Sequence, residues 1–245
     1  MTRLLHAELL KLRTTRTFVA LAAGAVAASL LLVILTTSLS TVDENSLRAL
    51  LASSPGASFV LLLSAVGITG EWRHRTIASS ILAAPDRLRL LAAKTIAYAL
   101  AGVAVSLVVT ASIMIAATLI VSARGEATLG LIDLADVLWR SLAVGALLGA
   151  LGIGLGALLR NQIVTVTALL ILGLVLEPTL VQLVPAVGRF GPTVGAPSGI
   201  LDVAIDPSVE AGTLLAPGLA AAVSIGWVSA TFASAAALLR GRDLI

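Results

Sequence analysis

The sequence predicts an all-α, polytopic integral membrane protein of six transmembrane helices, with both termini in the cytoplasm. Three observations carry this. Of 245 residues, 58% are hydrophobic and 12% charged, and the mean hydropathy is +1.07, a balance that fits lipid as the solvent rather than water. The charges gather in short clusters between six uncharged or nearly uncharged runs of about 20 residues, each long enough for a hydrocarbon core of about 30 Å. None of these runs shows the polar/apolar alternation of a barrel strand. Lipid offers the backbone no hydrogen bonds, so the runs are helices.

In chain order, residues 3–16 place Leu5, Leu9 and Leu12 on one helical face and Arg3, His6 and Arg13 on another, the pattern of a helix lying on the membrane surface; the alternative is a charged anchor that only orients span one. Span one covers 18–39. It exceeds the apolar region of about 7–15 residues of a cleaved signal peptide and is expected to be retained. Spans two to six are placed at 49–70, 95–121, 141–159, 163–184 and 217–239, all within a single transmembrane domain. Two longer connections remain: an inner segment 71–94, and an outer segment 185–216 that Pro185, Pro192, Pro197 and Pro207 break, either a free loop or, on its apolar groups, a re-entrant or interfacial lid.

Orientation follows from the basic residues. With the N-terminus inside, twelve Arg and Lys flank the spans on the cytoplasmic side and four, Arg48, Arg124, Arg140 and Arg189, lie outside, where most acids also lie. Topology therefore accounts for the net charge of +3, and no nucleic-acid partner is expected. The chain has no cysteine, which removes thiolate metal sites, disulfides and cysteine nucleophiles. No Gly-Lys pair of a phosphate-binding loop is present, and both histidines, His6 and His74, fall outside the spans. The expectation is a non-enzymatic chain without a cofactor or metal of its own.

Two features stand out within the spans. Glu177, followed by Pro178, is an ionisable residue in the outer half of span five. A carboxylate in lipid is costly, so the pair marks either a translocation path or outer gate, or a break at the interface where Glu177 reaches water or pairs with Arg189 or Arg140. Gly145, Gly149, Gly152 and Gly156 share one face of span four, a surface for close helix contact, with another helix of the same chain favoured over a dimer seam.

The run Gly70-Glu71-Trp72-Arg73-His74-Arg75-Thr76-Ile77, then Leu82-Ala83-Ala84-Pro85-Asp86-Arg87 and Lys94, resembles the loop after the second span of type-2 ABC exporter permeases. The start Ala7-Glu8-Leu9-Leu10-Lys11-Leu12-Arg13-Thr14 is similar to that of many small actinobacterial members. The resemblance implies a bacterial plasma-membrane subunit that pairs with a second permease copy, as homodimer or heterodimer, and with cytoplasmic ATPase subunits that bind the ATP and magnesium. It implies that Glu71, Arg73, Arg75, Thr76, Pro85 and Arg87 form the ATPase-coupling elbow, in which Glu71 could pair with Arg75 one helical turn on. The alternative for the arginines is binding of anionic lipid head groups. Alternatives for the whole chain are a secondary carrier with Glu177 as ion relay, or a non-transporting membrane partner or immunity protein.

Overall fold

The protein is an all-α polytopic membrane protein. The structure, a computed structural model, describes residues 1–74, 86–126, 128–203 and 214–241, and no strand occurs among them. The helices are α1 (Thr2–Thr14), α2 (Arg16–Leu39), α3 (Glu44–Ala52), α4 (Gly56–Arg73), α5 (Arg87–Ala123), α6 (Leu131–Leu159), α7 (Gln162–Ile171), α8 (Glu177–Leu183), α9 (Pro185–Gly188), α10 (Gly195–Leu201) and α11 (Pro217–Gly241). A π-helical turn, Leu172–Leu176, joins α7 to α8. Six helical stretches are long and apolar enough to cross a membrane: α2, α3 with α4, α5, α6, α7 through α8, and α11.

Several boundaries differ from those the sequence suggested. The run 49–70 is not one helix. Pro55 has no N–H to give and disfavours helical backbone at Ser54, so the chain breaks between α3 and α4. Helix α5 begins at Arg87 rather than at 95, because Asp86 caps it, accepting from the backbone N–H groups of Leu88 (3.1 Å) and Arg89 (3.2 Å). At 37 residues it is about 55 Å long, more than a hydrocarbon core requires. Helix α6 begins ten residues before 141. Its charged first turns stay helical because Arg140 reaches back one turn to Asp136 (2.8 Å), which also accepts from Arg48 of α3 (2.7 Å). The turn from α6 to α7 takes two residues. Arg160 adopts left-handed backbone (φ 55°), and Asn161 caps α7 through the N–H groups of Ile163 and Val164.

Helix α6 is the axis of the bundle, and its glycine face explains why. A Cβ built on Gly145 or Gly149 would lie 2.1 Å from the Ser106 hydroxyl or 2.4 Å from the Tyr98 carbonyl oxygen, both on α5. One on Gly152 or Gly156 would meet α4, at Ser64 (2.1 Å) and Ile68 (2.5 Å). The stripe thus seats two helices of the same chain at backbone contact distance. Buried hydroxyls in this apolar setting donate to their own helix, as Ser64 does to Val60 (2.9 Å) and Thr69 to Ala65 (2.6 Å). Outward faces carry exposed Leu31, Leu35, Leu107, Ile115, Leu119 and Leu174, which lipid tolerates and water would not.

The proline-rich segment from Pro185, as far as residue 203, is packed rather than free. Ala196 to Ile200 of α10 are buried, and α10 rests on α11 and α6.

Candidate functional site

Helix α1 turns one face inward. Leu5, Leu9 and Leu12 join the core at the basic end of the bundle with Phe18, Leu91, Tyr98 and Leu239, so the helix is packed on α5 and α2 as much as laid on a surface. Glu8 lies one turn before Leu12 on this face and is carried inside, 8% exposed. Lys94 lies on the buried face of α5, one turn after Leu90 and Leu91 and one before Tyr98. It is only 2% exposed. Glu71, in the last turn of α4, is 6% exposed and faces both.

These three charges meet. Lys94 Nζ donates to both carboxylate oxygens of Glu8 (2.8 Å each) and to Oε1 of Glu71 (2.6 Å). All three ammonium protons are therefore used. Lys11, one turn after Glu8, also donates to Glu71, and two lysines balance two carboxylates. Each buried charge would cost several kcal/mol alone and is tolerable because it is paired and hydrogen-bonded. Tyr98 closes the site from below. Gly67 leaves room for its ring: a Cβ there would stand 1.9 Å from the phenol oxygen.

A cavity of about 380 Å³ opens beside the cluster, between α1 and the start of α2 on one side and α4 on the other. At the same end of the bundle, away from this cavity, two arginines bind the end of α11. Arg87 donates to the Leu239 carbonyl (2.7 Å), and Arg160 donates to Leu238 (3.2 Å) while lying over the Trp72 ring, 5.0 Å from its centroid. The last carbonyls of a helix have no partner in their own ladder, and these guanidinium groups supply one.

Of the residues expected at the elbow, Glu71 enters the cluster, Arg87 holds α11, and Arg73 reaches Gln162 at 3.4 Å. Arg75, Thr76 and Pro85 lie outside the described residues, and so does an Arg75 partner for Glu71. Among the described residues, Glu71 is bound by Lys94 and Lys11. Sequence reasoning did not select Glu8, Lys11 or Lys94 as site residues. Two signals could have found them: an acid on the leucine face of an amphipathic helix, and a lysine at helical spacing within the buried face of the next span.

Glu177 corrects a sequence expectation. It neither reaches water nor pairs with Arg189 or Arg140. It is 2% exposed and accepts from the Thr193 hydroxyl (2.7 Å) and from the backbone N–H groups of Thr193 (3.0 Å), Val194 (2.6 Å) and Gly195 (3.2 Å). Gly191 must be glycine for this approach, since a Cβ would come 2.4 Å from the carboxylate. Arg189 instead stacks on Phe190, and Arg140 binds Asp136 and the Ile200 carbonyl. The carboxylate is a latch that fastens the segment before α10 to span five. Pro178 sits in the first turn of α8, just after the π-helical turn. Proline removes one ladder bond and a wider turn absorbs the mismatch.

Comparison of the chain with protein-family models and with curated proteins returns no match.

Proposed function

We propose that this chain is the membrane-spanning permease subunit of an ATP-driven bacterial exporter, working with a second permease copy and energised by separate cytoplasmic ATPase subunits. The observation that carries the reading is the Glu8–Lys94–Glu71 link. It ties together the N-terminal helix, the helix that enters the inner segment 75–85 and the helix that leaves it. A partner pressing on that segment from the cytoplasm would displace three elements as one body, because separating them would strand a buried charge. Arg87 and Arg160 extend the same body to α11. In this reading the inner segment receives the stroke and the charge cluster passes it to the spans.

Affinity purification of the full chain from its native membrane tests the proposal. The expected result is a co-purifying nucleotide-binding subunit whose ATP turnover is coupled to transport, with coupling reduced at least tenfold by Lys94→Met in protein that still assembles. Transport driven by an ion gradient in vesicles without ATP, and abolished by Glu177→Gln, would replace this reading with the secondary carrier. The full set of hydrogen bonds on Glu177 favours a structural latch over a relay that must load and unload protons or ions.

A further inference from the structure

The cavity beside the charge cluster changes character along its depth. Its rim carries Lys11, Arg73 and His74, all exposed, together with Thr15 and Gln162. Its inner wall carries Phe18 and Leu21 from α2 and Leu63 and Val66 from α4. The rim lies where α1 meets α2, where α4 ends and where α7 begins. Those are the basic ends of three spans, where head groups lie once the spans cross a bilayer, and the apolar wall runs about two turns deeper along α2 and α4.

The charge left over at the rim is positive. Glu8 and Glu71 line the cavity, but Lys94 and Lys11 already bind them. Arg73 makes no ion pair among the described residues, and its guanidinium reaches only the neutral Gln162 amide. Lys11 gives one contact to Glu71, its side chain remains 45% exposed, and an ammonium has three donors. A polar, cationic rim above an aliphatic and aromatic wall, in about 380 Å³, is complementary to an anionic amphiphile. The size falls within the range of about 300–1,000 Å³ found for small-molecule sites.

We infer that this cavity binds one anionic phospholipid of the basic-side leaflet. Its phosphate would lie against Lys11, Arg73 and His74, and the first part of an acyl chain against Phe18, Leu21 and Val66. The inference rests on the membrane placement of the spans and is independent of the exporter reading. A bound lipid would wedge α1 and α2 against α4 and so support the charge cluster from its open side.

The test uses the delipidated full chain in detergent, with native mass spectrometry as readout. Phosphatidylglycerol and phosphatidylcholine with identical chains are added separately, and glycerol phosphate serves as the free head group. One equivalent of phosphatidylglycerol is expected to stay bound, at least tenfold tighter than phosphatidylcholine. Arg73→Gln should weaken it about fivefold, the effect of one basic residue near an anionic surface, and added salt should do the same. Val66→Trp, which fills the cavity, should abolish retention, and Leu21→Trp from the opposite wall serves if that variant does not fold. Equal retention of the two lipids, or undiminished binding in the filled variant, would overturn the inference. Glycerol phosphate binding as tightly as the lipid would also overturn it, as a plain anion site.

Discussion

The two buried carboxylate sites, at opposite ends of the bundle, neutralise their charge by different means. At the basic end Glu8 and Glu71 face lysine side chains from other helices, beside a cavity with an exposed rim. At the acidic end Glu177 faces a hydroxyl and backbone N–H groups a few residues further along its own chain. The first arrangement couples three helices through groups on long, movable side chains, and its contacts can be exchanged when the helices shift. The second fixes one local turn through rigid backbone donors. In the proposed reading, transmission between elements belongs to the first kind of site and anchoring to the second.

This contrast is broken most severely at Lys94. Lys94→Met removes the lysine that the two buried carboxylates share, and removing one partner of a buried pair costs about 3–5 kcal/mol. The loss should appear as a lower thermal transition and reduced detergent-solubilised yield. Adding Glu8→Gln should recover part of it, because one stranded charge disappears. If the single and double variants melt alike, the two residues are not coupled.

At the other end, Glu177→Ala leaves three backbone N–H groups and a hydroxyl without their acceptor, each worth about 1–3 kcal/mol when left unsatisfied in the interior. Water entering the loosened segment should offset part of this. The expected signature is local: faster hydrogen exchange over residues 185–203, with the basic end protected as before. Exchange that rises equally at both ends would contradict the division between anchor and transmission.

Between the two sites runs the glycine seam of α6. Gly102→Ala places a methyl 2.1 Å from the Gly145 carbonyl oxygen, where no flexible side chain can yield, so α5 and α6 must separate. A loss of about 1–3 kcal/mol is expected, the usual penalty of overpacking, and thermal unfolding in detergent would register it. The smallest effect belongs to Gly226→Ala on α11, which has nothing within 4 Å of the new methyl. It should stabilise by up to about 1 kcal/mol through helix propensity alone. A destabilised Gly226→Ala chain would reveal a partner surface on that face.

The contrast between the two sites is also a contrast in legibility. Glu177 is conspicuous in the sequence as a charge inside an apolar run, yet its partners were misjudged, because a backbone N–H carries no mark in the sequence. Glu71 was selected through a resemblance, and Glu8 and Lys94 stand in the runs that carry it but were given no role. Lys94 and Glu8 are 86 residues apart, and nothing in either neighbourhood names the other.

By itself the sequence determined that the chain is helical, that it has six stretches able to cross a membrane, and which ends of them are basic. These follow from run length, absence of strand periodicity and counts of charge, all properties of the chain as a line. The tertiary structure decided the break at Pro55, the division of the α6 glycines between α4 and α5, and the choice of lysine or backbone as partner for each buried carboxylate. Those depend on how each helix is rotated about its axis and which neighbour it packs against. Rotation is set jointly by small residues that admit close approach and by buried charges that must find partners.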